Sequence, residues 1–182
     1  MIPQSDLISP AYLESQKILH AQPRGYGGRG DKWAGVVLQI AIAHEAYSIL
    51  DYGCGEGSLK RALNGHASVI RVDEYDPAIP GKDGPPTFAD MVNVTDVLEH
   101  IEPDRLDTVL QHIKGLARKV IWVVVSTKTS NKVLDDGRNA HLIVRPPRWW
   151  KKRFIQAGFT LHNAPSIVRQ CPEKEWSVVL TP

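Results

Sequence analysis

Cysteine is scarce in this chain: Cys54 and Cys171 are its only two in 182 residues. Two thiols build no disulfide framework, and no cluster of Cys and His has zinc spacing, so the sequence predicts neither covalent staples nor a metal. No apolar run is long enough to cross a bilayer, and the polar start Met1-Ile2-Pro3-Gln4-Ser5 does not read as a signal peptide. The expectation is a cytoplasmic protein without a membrane partner. An excess of one charge is lacking too, since a formal net charge of +2 is too small to argue for nucleic acid by itself. The phosphate-binding pattern G-x-x-x-x-G-K-[ST] does not occur. The length is that of one domain, and 42% hydrophobic residues suffice for a full core.

Against these absences stands a glycine turn. Tyr47-Ser48-Ile49-Leu50 reads as a buried parallel strand leading to Asp51, and Gly53, Gly55 and Gly57 follow at alternate positions. Leu59-Lys60-Arg61-Ala62-Leu63 then offers helix formers, so the glycines fall where a strand turns into a helix and a ligand approaches the backbone. The spacing G-x-G-x-G differs from the dinucleotide fingerprint. Carboxylates at Asp51 and Glu56 would repel a pyrophosphate and attract an ammonium group. Cys54 sits within the turn, where a small buried side chain fits. A second apolar stretch, Ala67 to Val72, ends in Asp73-Glu74-Tyr75-Asp76-Pro77. An acid about 20 residues beyond such glycines suits a ribose diol; Glu74 is the first candidate and Asp73 the reserve.

The segment around Asp51-Tyr52-Gly53-Cys54-Gly55-Glu56-Gly57 resembles motif I of the class I S-adenosylmethionine (SAM) methyltransferases. Glu74-Tyr75-Asp76-Pro77 matches that family's order of acid, small polar residue and proline. Asp96-Val97-Leu98-Glu99-His100-Ile101-Glu102-Pro103 is similar to the segment after its fourth strand. With Asp135-Asp136-Gly137-Arg138-Asn139-Ala140-His141-Leu142, it is most similar to compact, phage-like members. The resemblance implies an α/β fold with a doubly wound, mostly parallel sheet of the seven-stranded type, its last strand, Trp176–Leu180, antiparallel. It implies SAM as cofactor, held by Asp51, Gly53, Cys54, Gly55, Gly57 and Glu74, with Asp96 bordering the methyl group. One departure matters: residues 75–89 are too rich in proline and glycine for the family's next helix and third strand, so the sheet is expected to be trimmed at that edge. Ile79 or Phe88 is left to cover the adenine.

Further elements follow from pattern. Met91–Thr95 reads as a strand. Pro103 suits the start of a helix whose stripe is Leu106, Val109, Leu110, Ile113 and Ala117, and Lys119–Ser126 is a buried strand. Residues 1–46 read as a helical lead-in to a SAM-binding domain over 47–182. Ser9-Pro10 starts a helix over Ala11–His20. Asp31 is placed to cap another, with the stripe Trp33, Val36, Val37, Ile40 and His44. The glycine-rich loop between them is either a connector or a lid in which Arg24, Tyr26 and Arg29 fold over cofactor or substrate.

Two histidines compete as general base, His141 and His100, and Asp96 stands with them as a catalytic candidate. His141 lies after the fifth strand of the resembled order, with Arg138 and Asn139, and these join Tyr26 as candidate substrate contacts. Pro147 is expected to open a helix packed through Trp149, Trp150, Phe154 and Ala157. The basic cluster Arg145, Arg148, Lys151, Lys152 and Arg153, beside the tryptophans, makes either a solvated face or a docking surface for nucleic acid. The leading expectation is methyl transfer from SAM to an oxygen or nitrogen of a small polar molecule such as a sugar, nucleotide or related metabolite. The alternatives are a nucleic-acid or protein methyltransferase that docks through the basic helix, and a SAM-binding protein without transferase activity.

Overall fold

The structure is a computed structural model that describes residues 2–22, 26–66, 70–165 and 174–182. Arg24, Cys171 and the expected strand start at Ala67 lie outside the described residues. Among the described residues six strands form one sheet: β1 (Ser48–Tyr52), β2 (Arg71–Tyr75), β3 (Ala89–Thr95), β4 (Ala117–Ser126), β5 (Thr160–His162) and β6 (Glu175–Thr181). Their order is β2-β1-β3-β4-β6-β5. The first four are mutually parallel, and β6 runs antiparallel to both β4 and β5. This is the doubly wound sheet with an antiparallel last strand that the sequence implies. Among the described residues no strand flanks β2 on its outer side, as the proline-rich segment requires.

Both faces of the sheet are covered, which is why β1 is buried at all five positions and β4 from Val120 to Ser126. One face packs against α5 (Leu106–Leu116) and α6 (Pro147–Gln156), through Leu106, Val109, Leu110, Ile113, Trp150 and Phe154. The other packs against α3 (Ala34–Ala43) and α4 (Ser58–Leu63), where Val37, Ile40, Leu59 and Leu63 meet Ile49, Met91 and Trp122. The sheet's core thus includes a helix from the segment expected as a lead-in. No helix among the described residues is long and apolar enough to cross a membrane.

Several boundaries differ from expectation for identifiable reasons. Tyr47 lies outside β1 and is 61% exposed, with Lys119 over its ring. The second strand contains Asp73 and Glu74 instead of ending before them; as an edge strand it tolerates polar residues that an inner strand would exclude. Asp31 does not cap α3. It lies in a 3-10 turn, Gly30–Trp33, whose Asp31 N–H donates to Ser58 Oγ at 3.2 Å, and His44 falls just beyond the end of α3. Pro103 belongs to the turn before α5, and Ala117 opens β4. At α6 the helix starts on Pro147 as expected.

Two short helices, α1 (Gln4–Leu7) and α2 (Pro10–His20), cross the carboxyl end of the sheet. Ser9 caps α2 by accepting from Tyr12 N–H at 3.2 Å. It also donates to the Glu102 carboxylate from its N–H at 2.8 Å and from its hydroxyl at 2.6 Å, while Tyr12 Oη donates to His100 O at 2.5 Å. These bonds fix the roof of the cavity below.

Candidate active site

A cavity of about 560 Å³ lies at the carboxyl ends of β1, β2 and β3. This is where open α/β sheets take ligands. Its floor is Asp51 to Gly55, one wall is Tyr75 to Ala78, the opposite wall holds Asp96, Glu99, His100 and His141, and α1 and α2 form the roof.

The glycine turn is built by the chain's own close contacts. Gly53 N–H and Cys54 N–H donate to Tyr75 O at 2.7 and 3.1 Å, and Gly55 N–H donates to Asp76 Oδ2 at 3.0 Å. Gly55 has φ +49°, and a Cβ there would stand 2.3 Å from Gly27 O, so the 26–30 loop rests directly on the turn. Gly53 has φ +74°, and its Cβ would meet Val97 at 2.5 Å. At Gly57 a Cβ would overlap the Glu74 carboxylate. Cys54 is buried, which pushes its thiol well above the ordinary range and leaves it inert.

Four acids from the sequence end in different situations. Asp51 is 4% exposed, accepts from Asn93 Nδ2 at 2.7 Å and faces the cavity; burial pushes its carboxyl up to about 7. Glu74 does not line the cavity. Its carboxylate is held by Lys82 Nζ at 3.1 Å and Lys60 Nζ at 3.7 Å, and Lys82 Nζ also donates to Gly55 O at 3.0 Å. Asp73 pairs with Arg71 at 3.0 Å on the sheet edge. Of the acids at the end of β2, the one that reaches the cavity is Asp76, which accepts from both Gly55 N–H and Ala78 N–H at 3.0 Å and so joins the β2 exit to the glycine turn. Neither Ile79 nor Phe88 lines the cavity; Pro77 and Ala78 do, and Phe88 is exposed.

At the opposite wall Asp96 adopts φ +57°, uncommon for a residue with a Cβ, with its N–H bonded to Val124 O at 3.0 Å and its carboxylate 2.9 Å from Lys32 Nζ. Glu99 is fully buried and accepts from Ser126 N–H at 2.8 Å. Burial, with Asp96 nearby, raises its carboxyl to about 8. His100 Nδ1 lies 2.8 Å from Ala140 O and 2.9 Å from Tyr26 Oη, and His141 Nδ1 lies 2.6 Å from Lys128 O. A carbonyl only accepts, so both Nδ1 atoms carry hydrogen. The two rings meet edge to face with centroids 4.7 Å apart, and burial together with His141 pushes His100 down to about 3. Tyr26, wedged between His20 and His100, has its hydroxyl pushed well above the ordinary range by burial.

Tyr26, Asp96, His100 and His141 therefore come together on the cavity. Arg138 and Asn139 do not line it. Arg138 pairs with Asp136 at 2.6 Å and lies over the Tyr12 ring, while Asn139 bonds Ser130 N–H, Ser130 O and His141 N–H at 3.0, 2.8 and 3.0 Å. Asn139 thus braces the loop that presents His141. On α6, Arg153 pairs with Asp107 and Lys151 sits over Trp176. Sequence reasoning missed Lys32, Lys82 and the Ser9–Glu102 pair, whose partners are remote in the chain. Asp76 had a signal, since it stands directly before Pro77 in the segment already singled out.

The comparisons agree with this geometry at the level of fold. No protein-family profile matches the sequence, and no curated protein sequence matches it. Among solved structures, the chain is similar to 1,6-didemethyltoxoflavin-N1-methyltransferase of Burkholderia thailandensis, solved with 1,6-didemethyltoxoflavin and S-adenosylhomocysteine bound. The TM-score is 0.60 at 15% identity, over 93% of this chain and 83% of that one. It is also similar to DhpI in complex with SAH, with a TM-score of 0.57 at 15% identity over 96% and 98% of the two chains. A third similar structure is the mitomycin 7-O-methyltransferase MmcR, with a TM-score of 0.58 at 14% identity, over 82% of this chain and 54% of that one. The chain has the Rossmann-like fold of the class I SAM-dependent methyltransferases.

Proposed function

We propose that this protein is a SAM-dependent methyltransferase acting on an oxygen or nitrogen atom of a small polar molecule such as a sugar, nucleotide or related metabolite. One observation carries the reading: a single cavity joins the glycine turn and the buried Asp51 carboxylate to a wall that carries the imidazoles of His100 and His141. When bound, SAM supplies a methyl group activated by its sulfonium. Asp51 offers a carboxylate to the cofactor's positive charges, and Gly53, Gly55 and Asp76 shape the backbone beside it. Glu74 stays with Lys82 and Lys60 and supports the turn from outside the cavity, through the bond that Lys82 donates to Gly55 O. Asp96, His100 and His141 face the acceptor; the imidazoles receive its proton or orient its reacting atom.

On α6, Arg153 and Lys151 are engaged by Asp107 and Trp176 of the same chain, which leaves Arg148 and Lys152 of that helix as the basic residues of any docking surface. Calorimetric titration with SAM tests the cofactor site: saturable binding supports it, and its absence sinks the reading. Incubation with isotope-labelled SAM and a metabolite extract, read by mass spectrometry, then identifies the acceptor through its labelled methyl group.

A further inference from the structure

Glu99, His100 and His141 converge on the cavity wall although α5 and β4 separate the two histidines in the chain. A carboxylate oxygen of Glu99 and one nitrogen of each imidazole all lie within 4.8 Å of one another. Each Nδ1 hydrogen is committed to a backbone carbonyl, Ala140 O at 2.8 Å and Lys128 O at 2.6 Å. With Nδ1 so occupied, Nε2 is the nitrogen of each ring that can take a ligand. A metal-binding histidine is held in this way, its second nitrogen donating to a carbonyl that fixes tautomer and ring orientation. The carboxylate adds an independent observation. Glu99 is fully buried and lines the cavity; its Oε1 accepts from Ser126 N–H, while Oε2 has no partner. A buried carboxylate oxygen without a partner is costly. Lys32, the cation acting on Glu99, stands in an ion pair with Asp96 at 2.9 Å.

We propose that Glu99 Oε2, His100 Nε2 and His141 Nε2 bind one divalent first-row transition-metal cation, with open coordination positions toward the cavity for an oxygen of the acceptor. Two imidazoles with one carboxylate favour manganese, iron, cobalt or zinc over magnesium or calcium, which prefer all-oxygen shells. Three protein ligands with a vacant position are the arrangement of a catalytic site, and side-chain shifts of about 1 Å would reach metal–ligand distances of about 2.0–2.2 Å.

The role of the ion rests on the methyl-transfer reading; its binding does not. An acceptor hydroxyl on the cation gives up its proton more readily. With both Nε2 atoms on the ion the imidazoles orient the acceptor and no longer take its proton; that proton leaves to water, the oxygen's electron pair forms the bond to the methyl carbon, and the carbon–sulfur pair stays on sulfur.

The test uses the full, untagged chain after treatment with a chelator. Zn²⁺ titrated by calorimetry is expected to saturate one site per chain, and Co²⁺ to develop d–d absorption bands. His100→Ala, His141→Ala and Glu99→Gln are each expected to weaken Zn²⁺ at least tenfold, whereas His162→Ala, on exposed β5, leaves it unchanged. Glu99→Gln keeps an acceptor for Ser126 N–H, and far-UV circular dichroism confirms that each variant is folded. Absence of saturable Zn²⁺ binding, or binding that survives all three substitutions, overturns the proposal. SAM titrated into the same proteins separates the two readings: failure to bind SAM with the metal site intact rejects the methyltransferase reading alone, and the converse rejects the metal alone.

Discussion

Gly27 and Gly55 close on each other: Glu56 N–H donates to Gly27 O at 3.1 Å, and a Cβ on Gly55 would lie 2.3 Å from that oxygen. The obstacle is backbone, which cannot swing away as a side chain would. Gly55→Ala is therefore expected to cost about 1–3 kcal/mol through the clash and the positive φ. It is also expected to lower SAM affinity at least tenfold, and Gly55→Arg to abolish it. Urea unfolding and calorimetry measure the two effects; unchanged SAM binding in Gly55→Arg would remove the glycine turn from the cofactor site.

Asp51 links pH to both stability and binding. Its folded carboxyl titrates at about 7 against an ordinary value of 3.8, because burial disfavours the charge. The folded chain thus holds a proton that the unfolded chain has released between about pH 4 and pH 7, and this group makes the protein more stable as pH falls through that window. Cofactor binding runs the other way. An ionised Asp51 attracts the cationic ligand, so SAM affinity is expected to fall as pH drops below 7, and Asp51→Asn to flatten that dependence while stabilising the free protein at pH 8. A SAM affinity that follows the same pH course in Asp51→Asn would contradict this.

Two acids near the exit of β2 are expected to separate experimentally. Asp76 holds Gly55 N–H and Ala78 N–H, so Asp76→Ala leaves two donors unpaired and should loosen the turn by about 1–3 kcal/mol, with more than tenfold loss of SAM affinity. Glu74 is already engaged by Lys82 and Lys60, and Glu74→Gln is expected to change SAM affinity about threefold or less. A larger loss in Glu74→Gln than in Asp76→Ala would mean that Lys82 yields the carboxylate to the cofactor's ribose.

The roof is pinned at Ser9. Ser9→Ala removes the cap of α2 and one bond to Glu102, with an expected cost of about 1 kcal/mol. Because α1 and α2 cover the cavity, the SAM dissociation rate in stopped-flow should rise while the Co²⁺ spectrum stays as in the parent. A dissociation rate equal to that of the parent would show that the roof does not retain the ligand.

The glycine turn, β3, β4 and the start of α6 were legible because apolar runs, periodicity and proline act locally. The start of the second strand was not, since Arg71-Val72-Asp73-Glu74-Tyr75 is an edge strand and lacks the apolar run that marks its inner neighbours. His100 and His141 were each recognisable as chemistry-bearing, yet nothing in their separate neighbourhoods predicts that the rings touch. Their meeting depends on β4 returning beside β3 and on Asn139 folding the following loop. Arg138 and Asn139 misled for the opposite reason: their hydrogen bonds are local, to Asp136 and Ser130, and satisfy them away from the cavity.

The missing third strand also has a consequence outside the site. A bare sheet border is a template on which another polypeptide can add a strand. Here that border carries Arg71, Asp73 and Glu74, already paired with Asp73, Arg71, Thr87, Lys60 and Lys82. A docking strand would have to dehydrate or break these charges, so β2 can end the sheet without inviting aggregation along its open side.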